Sequence, residues 1–243
     1  MIDWLAGFLL PPGLSVMLGL CGVLCLRWRP WVAHGLLIIS VLSGYLLSTE
    51  ALAQRLMKLV VIPAPEFVGA SAPEADLLVA VGAGDARVAP ELGGEWALGP
   101  QTLNLLQILG QWQRQVEGQI AVIGRSRAQQ SVQESVLMNQ VLIEQFHLPV
   151  HNLLNDGEAL AAQARQIEQL ARQHPGKRMI VFCSAMESRR LATLLGKQNI
   201  RPIIVPVADT SQAPVGWKRY LPTGSGVQRA RQALLEVWRR WML

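Results

Sequence analysis

The sequence predicts an α/β protein in which a parallel sheet carries helices on both faces and a two-helix transmembrane hairpin precedes it. Three observations lead there. Residues 5–47 are almost continuously apolar. From Leu77 onward, short β-branched apolar runs alternate with longer amphipathic ones. The stretches between the short runs are long enough to hold crossover helices, which parallel strands require. The composition is in keeping with this: 51% of the 243 residues are hydrophobic and only 16% are charged, an average over an apolar segment and a more ordinary remainder.

The hairpin comes first. A helix needs about 20 apolar residues to cross about 30 Å of hydrocarbon. Two such spans, about residues 4–26 and 31–47, fit on either side of Arg27-Trp28-Arg29-Pro30, giving residues 1–48 to the membrane. The first has no charge after Asp3, and Pro11-Pro12-Gly13 leaves its helix cleanest from Leu14. The second closes with Tyr45, and Trp4, Trp28 and Trp31 stand where interfacial aromatics are expected. An acidic N-terminus and a second apolar span argue against a cleaved signal peptide. Arg27 and Arg29 place the connection in the cytoplasm, although Arg55 and Lys58 after the second span pull the other way. The expected location is the bacterial inner membrane, with the soluble domain in the periplasm and the lipid bilayer as a partner.

Residues 49–74 read as a linker, with one helix-like stretch at 51–60 and a Pro- and Ala-rich stretch at 62–73. Residues 75–243 form the α/β domain. Buried strands are expected at 77–81, 120–123, 179–183 and 203–207, and helices at 102–116, 130–146, 158–174 and 187–198. The third helix carries Leu160, Ala164, Ile167 and Ala171 on one face. A final helix, about 227–241, sets seven apolar residues from Val227 to Trp241 on one side. Such a stripe is expected to pack on the sheet, and a return to the membrane interface is the other reading. Strand and helix alternate in a Rossmann-like order.

In such a sheet the ligand site lies beyond the carboxyl ends of the strands. Those ends read Gly82-Ala83-Gly84-Asp85, then Gly124-Arg125-Ser126, then Ser184-Ala185 with Glu187 and Arg190 following. Small residues let backbone N–H groups approach an anion, and Arg125, Ser126, Ser184 and Arg190 add side-chain donors. The predicted ligand is therefore a phosphate or carboxylate. Glu134, Asp85 and Arg190 are the candidate catalytic residues. No cofactor is expected, because Gly82-x-Gly84 lacks the rest of a dinucleotide fingerprint. No metal is expected either: His147 and His151 straddle Pro149, and no Cys or further His falls at ligand spacing. A serine triad lacks a histidine at any strand end. Cys21 and Cys25 lie in the first span and Cys183 ends a strand, which suggests no disulfide framework. The net charge is +5, with Arg229, Arg231, Arg239 and Arg240 facing Glu236 alone, a tail suited to anionic headgroups. Nucleic acid is not expected as a partner of a domain outside the cytoplasm.

The order of these elements and their strand-end motifs resembles the superfamily of envelope proteins that includes YdcF, SanA and ElyC, most closely the ElyC branch. That family carries a Gly-rich turn after each of its first two strands, a Glu early in the next helix, and a Ser-Ala turn followed by His and Arg. Here these positions read Gly82-Ala83-Gly84, Gly124-Arg125-Ser126, Glu134, and Ser184-Ala185 with Glu187 and Arg190. The likeness extends to Leu9-Leu10-Pro11-Pro12, to Trp217-Lys218-Arg219-Tyr220-Leu221-Pro222 and to Trp238. Four positions depart from the pattern. Glu187 replaces the family His, Thr102 stands where the family has Arg, Asn155-Asp156-Gly157-Glu158 is a reduced signature, and Asn199 stands for a Gly. The resemblance implies a role in peptidoglycan assembly or lipid-carrier metabolism, with a lipid-linked cell-wall precursor or envelope assembly proteins as partners. The alternatives are a membrane-proximal phosphoryl or ester hydrolase and a non-catalytic interaction scaffold.

Overall fold

The computed structural model describes residues 12–63, 75–90, 93–125, 132–155, 159–208, 214 and 216–241. The start of the first expected span, most of the linker's Pro- and Ala-rich stretch, Ser126, the expected helix start at Gln130 and the segment Asp156-Gly157-Glu158 lie outside them. The chain forms two units, one of residues 1–60 with 211–243 and one of residues 61–210.

The first unit contains α1 (Gly13–Cys25), α2 (Pro30–Ser48), α3 (Glu50–Val60), a 3-10 turn (Gly216–Tyr220) and α8 (Gly224–Trp241). Pro30 opens α2 at the first helical position, where its missing N–H costs nothing. α1 packs along α2, and the Ser40 hydroxyl donates to the Ser15 carbonyl at 2.6 Å. Large apolar side chains of the pair, such as Leu24, Val41 and Trp31, point outward. α2 is long and apolar enough to cross a membrane, whereas α1 over its described residues is shorter.

α3 and α8 pack against each other. α3 buries Ala53 and Val60, and α8 buries Ala230 and Ala233. The buried Glu50 carboxylate pairs with Arg229 across this contact. Thr49 bridges to Pro222, and the Thr223 N–H donates to the Ser48 carbonyl at 2.8 Å. Residues 211–243, expected as part of the α/β domain, cluster with residues 1–60. Within the first unit α8 also contacts α2, and Ala230 and Ala233 of the expected stripe are buried while Trp238 is exposed.

The second unit is built on a five-stranded sheet in the order β5-β4-β1-β6-β7, with every neighbouring pair parallel. Its elements are β1 (Leu77–Val81), α4 (Pro100–Gln113), β4 (Gln119–Gly124), α5 (Glu134–Phe146), β5 (Val150–Asn155), α6 (Leu160–Gln173), β6 (Met179–Ser184), α7 (Ala185–Lys197) and β7 (Ile203–Val207). A short antiparallel pair, β2 (Arg87–Ala89) and β3 (Glu95–Ala97), interrupts the path from β1 to α4. Alternate residues of each central strand enter opposite cores. Leu78 and Ala80 face Leu105, Leu109 and Met138 of α4 and α5. Leu77, Val79 and Val81 face Ala164, Ile167 and Leu191 of α6 and α7. Burial on both faces is why these strands read as unbroken apolar runs.

The four expected strands are present, and β5, β2 and β3 join them. β5 is an edge strand with His151 and Leu153 exposed and its other residues half-buried. At its register shift against β4, His151 Nδ1 accepts the Ile120 N–H at 3.3 Å.

Candidate functional site

The chain leaves β1 towards β4 and leaves β6 towards β7, on opposite sides of the sheet, so the topological switch point lies between β1 and β6. The residues that follow β1, β4 and β6 are the ones singled out by sequence. Gly124 ends β4 against the first turn of α5, where a Cβ would strike the Ser135 backbone. Gly84 adopts φ +73°, a left-handed conformation open to glycine at no steric cost.

Glu134, the first residue of α5, is fully buried and joins these two turns. Its Oε1 accepts the Gly84 N–H at 2.9 Å, and its Oε2 accepts the Arg125 N–H at 2.7 Å. The Thr102 hydroxyl lies 3.2 Å from Oε1. Burial raises the Glu134 pKa, and the two amides, the Thr102 hydroxyl and the Arg125 charge offset only part of that rise.

Asp85 serves the start of α4. Its Oδ2 accepts the Gln101 N–H at 2.9 Å, and its Oδ1 lies 2.5 Å from the Thr102 hydroxyl, which also accepts the Ala83 N–H at 3.2 Å. One hydroxyl proton thus faces two carboxyl groups. The Asp85 contact is the shorter of the two.

A second cluster begins at the Arg125 side chain. Its guanidinium pairs with Glu187, and Arg190 reaches the other oxygen of Glu187 at 3.3 Å. All three side chains are largely buried, 12–14% exposed. Arg125 Nε donates to Gln163 Oε1 at 3.3 Å, and Gln163 Nε2 donates to the Gly82 carbonyl at 3.2 Å. Gln101 Nε2 donates to the Ser184 hydroxyl at 2.8 Å, which joins the start of α4 to the end of β6. Ala185 opens α7. The chain enters this unit across the same helix, where the Ile62 N–H donates to Ser188 Oγ at 3.1 Å and Arg189 reaches the Val61 carbonyl at 3.3 Å.

The structure therefore groups the sequence-selected residues into a carboxyl cluster of Asp85, Thr102 and Glu134 and an arginine cluster of Arg125, Glu187 and Arg190. Arg125 belongs to both, through its backbone and its side chain. Ser126 lies outside the described residues. Sequence reasoning passed over Gln163 and Gln101. A glutamine beside the apolar stripe of α6 was the signal available for the first, and nothing marked the second. Among the described residues, no three His, Cys, Asp or Glu side chains are grouped as metal ligands.

Chemically, the carboxyl cluster is arranged to hold backbone: both Glu134 oxygens and the Asp85 oxygens are occupied by amides and one hydroxyl. The arginine cluster is arranged to hold an anion, and Glu187 supplies one. Compared with protein families, curated proteins and solved structures, the chain has no significant match.

Proposed function

We propose that this chain is an inner-membrane envelope biogenesis factor whose α/β domain, on the periplasmic side, binds an anionic cell-wall precursor at the carboxyl ends of its strands. The observation that carries this reading is the convergence of Arg125 and Arg190 on one carboxylate beside the switch point of the sheet. Two guanidinium groups held at one place recognise a phosphate or carboxylate, and Glu187 occupies that place until such a ligand displaces it. The family resemblance supports a lipid-linked peptidoglycan precursor as that ligand.

Attachment by a two-helix transmembrane hairpin fits the outward-facing apolar side chains of α1 and α2. Arg27 and Arg29 between them favour a cytoplasmic connection and a periplasmic domain. A hydrolase reading has less support, because Glu134 is fully buried with both oxygens bonded to backbone amides, and Asp85 is engaged by the start of α4.

The test is binding of a lipid-linked disaccharide pyrophosphate precursor by the full chain in nanodiscs. Loss of binding in Arg125→Gln and Arg190→Gln supports the proposal, and undiminished binding in both refutes it. A compartment-sensitive reporter fused after Leu243 reads the orientation: periplasmic activity agrees with it, and cytoplasmic activity contradicts it.

A further inference from the structure

A second basic site lies at the end of the apolar helix. A cavity of about 310 Å³ opens between the end of α2, α3 and the 3-10 turn, lined by Tyr45, Thr49, Arg55, Lys58, Arg219 and Tyr220 among others. Its volume falls in the range of small-molecule sites, about 300–1,000 Å³. Three cations face it and no acidic side chain lines it. Among the described residues, none of the three is paired with a carboxylate, and Arg219 donates instead to the Tyr220 hydroxyl at 2.8 Å. Glu50 of the same α3 does not offset them, because its carboxylate is buried against Arg229. Three like charges around one cavity repel one another, and an anion between them relieves that repulsion.

The position of the cavity says which anion. The 19 residues of α2 rise about 28 Å at about 1.5 Å per residue, close to the hydrocarbon thickness of a bilayer, so a cavity at its end sits at headgroup depth. The turn beside it, Gly216–Tyr220, presents Trp217 at 70% exposure with Lys218, Arg219 and Tyr220, a mixture of aromatic and basic side chains suited to a membrane interface. This turn is fastened to the helix end, since the Tyr45 hydroxyl donates to the Tyr220 carbonyl at 3.1 Å and Thr49 bridges to Pro222.

We infer that Arg55, Lys58 and Arg219 bind the phosphate group of an anionic lipid headgroup at the membrane surface. The choice of a lipid source rests on the reading of α2 as a membrane span. The pairing of three cations with a phosphate does not.

The experiment is amide hydrogen exchange of residues 216–221 in the full chain, reconstituted in phosphatidylcholine nanodiscs, in nanodiscs with one-third phosphatidylglycerol, and in phosphatidylcholine with millimolar inorganic phosphate. Phosphatidylglycerol is expected to slow exchange on the order of tenfold, given the attraction of each basic residue to an anionic surface. The triple variant Arg55→Gln/Lys58→Gln/Arg219→Gln is expected to lose that slowing, with exchange in β1 unchanged as the sign of an intact fold; Lys58→Gln alone should lose part of it. Equal exchange in both lipids, or full protection in the triple variant, overturns the inference. Equivalent protection by inorganic phosphate in phosphatidylcholine keeps the phosphate site and rejects the lipid as its source. Recovery of the chain in the aqueous fraction without detergent overturns the membrane reading by itself. The phosphate arm run in buffer then decides the cavity, with protection supporting it and none overturning it.

Discussion

Glu134 Oε2 accepts the Arg125 backbone N–H at 2.7 Å, so a carboxyl group on α5 fixes the residue whose side chain meets Glu187. The two clusters of the site are thereby one assembly. The buried carboxyl sets the backbone, and the backbone sets where the guanidinium points.

Removing that carboxyl has a calculable cost. Glu134→Ala leaves the Gly84 and Arg125 amides without their acceptors, at about 1–3 kcal/mol each, so roughly 2–6 kcal/mol of stability is lost. Glu134→Gln keeps one acceptor and should lose about half as much. Urea unfolding of the detergent-solubilised chain checks both, and equal stability of Glu134→Ala and the parent chain contradicts the role assigned to Glu134.

The same residue gives a pH dependence of definite sign. Its folded pKa is raised above the ordinary value of 4.5, so between the two values the folded state holds more protons than the unfolded one. The stability contributed is complete below the ordinary value and is lost as pH rises through the folded one. Unfolding midpoints measured from acidic to neutral pH should therefore show a declining component that is absent in Glu134→Gln. An identical profile in the two proteins rules it out.

In the first unit, Glu50 and Arg229 hold α8 on α3. Glu50→Ala removes the buried carboxylate that pairs with Arg229 and should cost about 3–5 kcal/mol, read as faster proteolytic release of the C-terminal segment. Replacing both, as Glu50→Leu with Arg229→Met, should restore much of the protection, because apolar side chains of similar volume then fill the contact. Unchanged release rates in Glu50→Ala would show that the pair does not hold the helix.

Much of this architecture is legible in the sequence, for reasons that differ by element. The central strands β1, β4 and β6 announce themselves because both faces are buried and nearly every residue is apolar or small, and the edge strand β7 is apolar throughout. β5 does not, because His151 and Asn152 belong to an edge strand with one side open, and the three-residue β2 and β3 carry too little pattern to register. The stripe on α8 says that something covers the helix without saying what, and the partner is α3, far away in the chain. At the site, the glycine turns and charged residues stand out by composition. Their roles do not, since the meeting of Arg125 with Glu187, 62 positions further along the chain, depends on β4 and β6 both flanking β1. Thr102 lies at the centre of the carboxyl cluster and bonds both acids.

The most direct measurement compares affinity for the lipid-linked pyrophosphate precursor in the parent chain and in Glu187→Gln, with the full protein in nanodiscs. If Glu187 holds the place of the ligand, removing its charge frees Arg125 and Arg190 and should tighten binding on the order of tenfold, about 1.4 kcal/mol. Equal or weaker binding by Glu187→Gln would contradict the account.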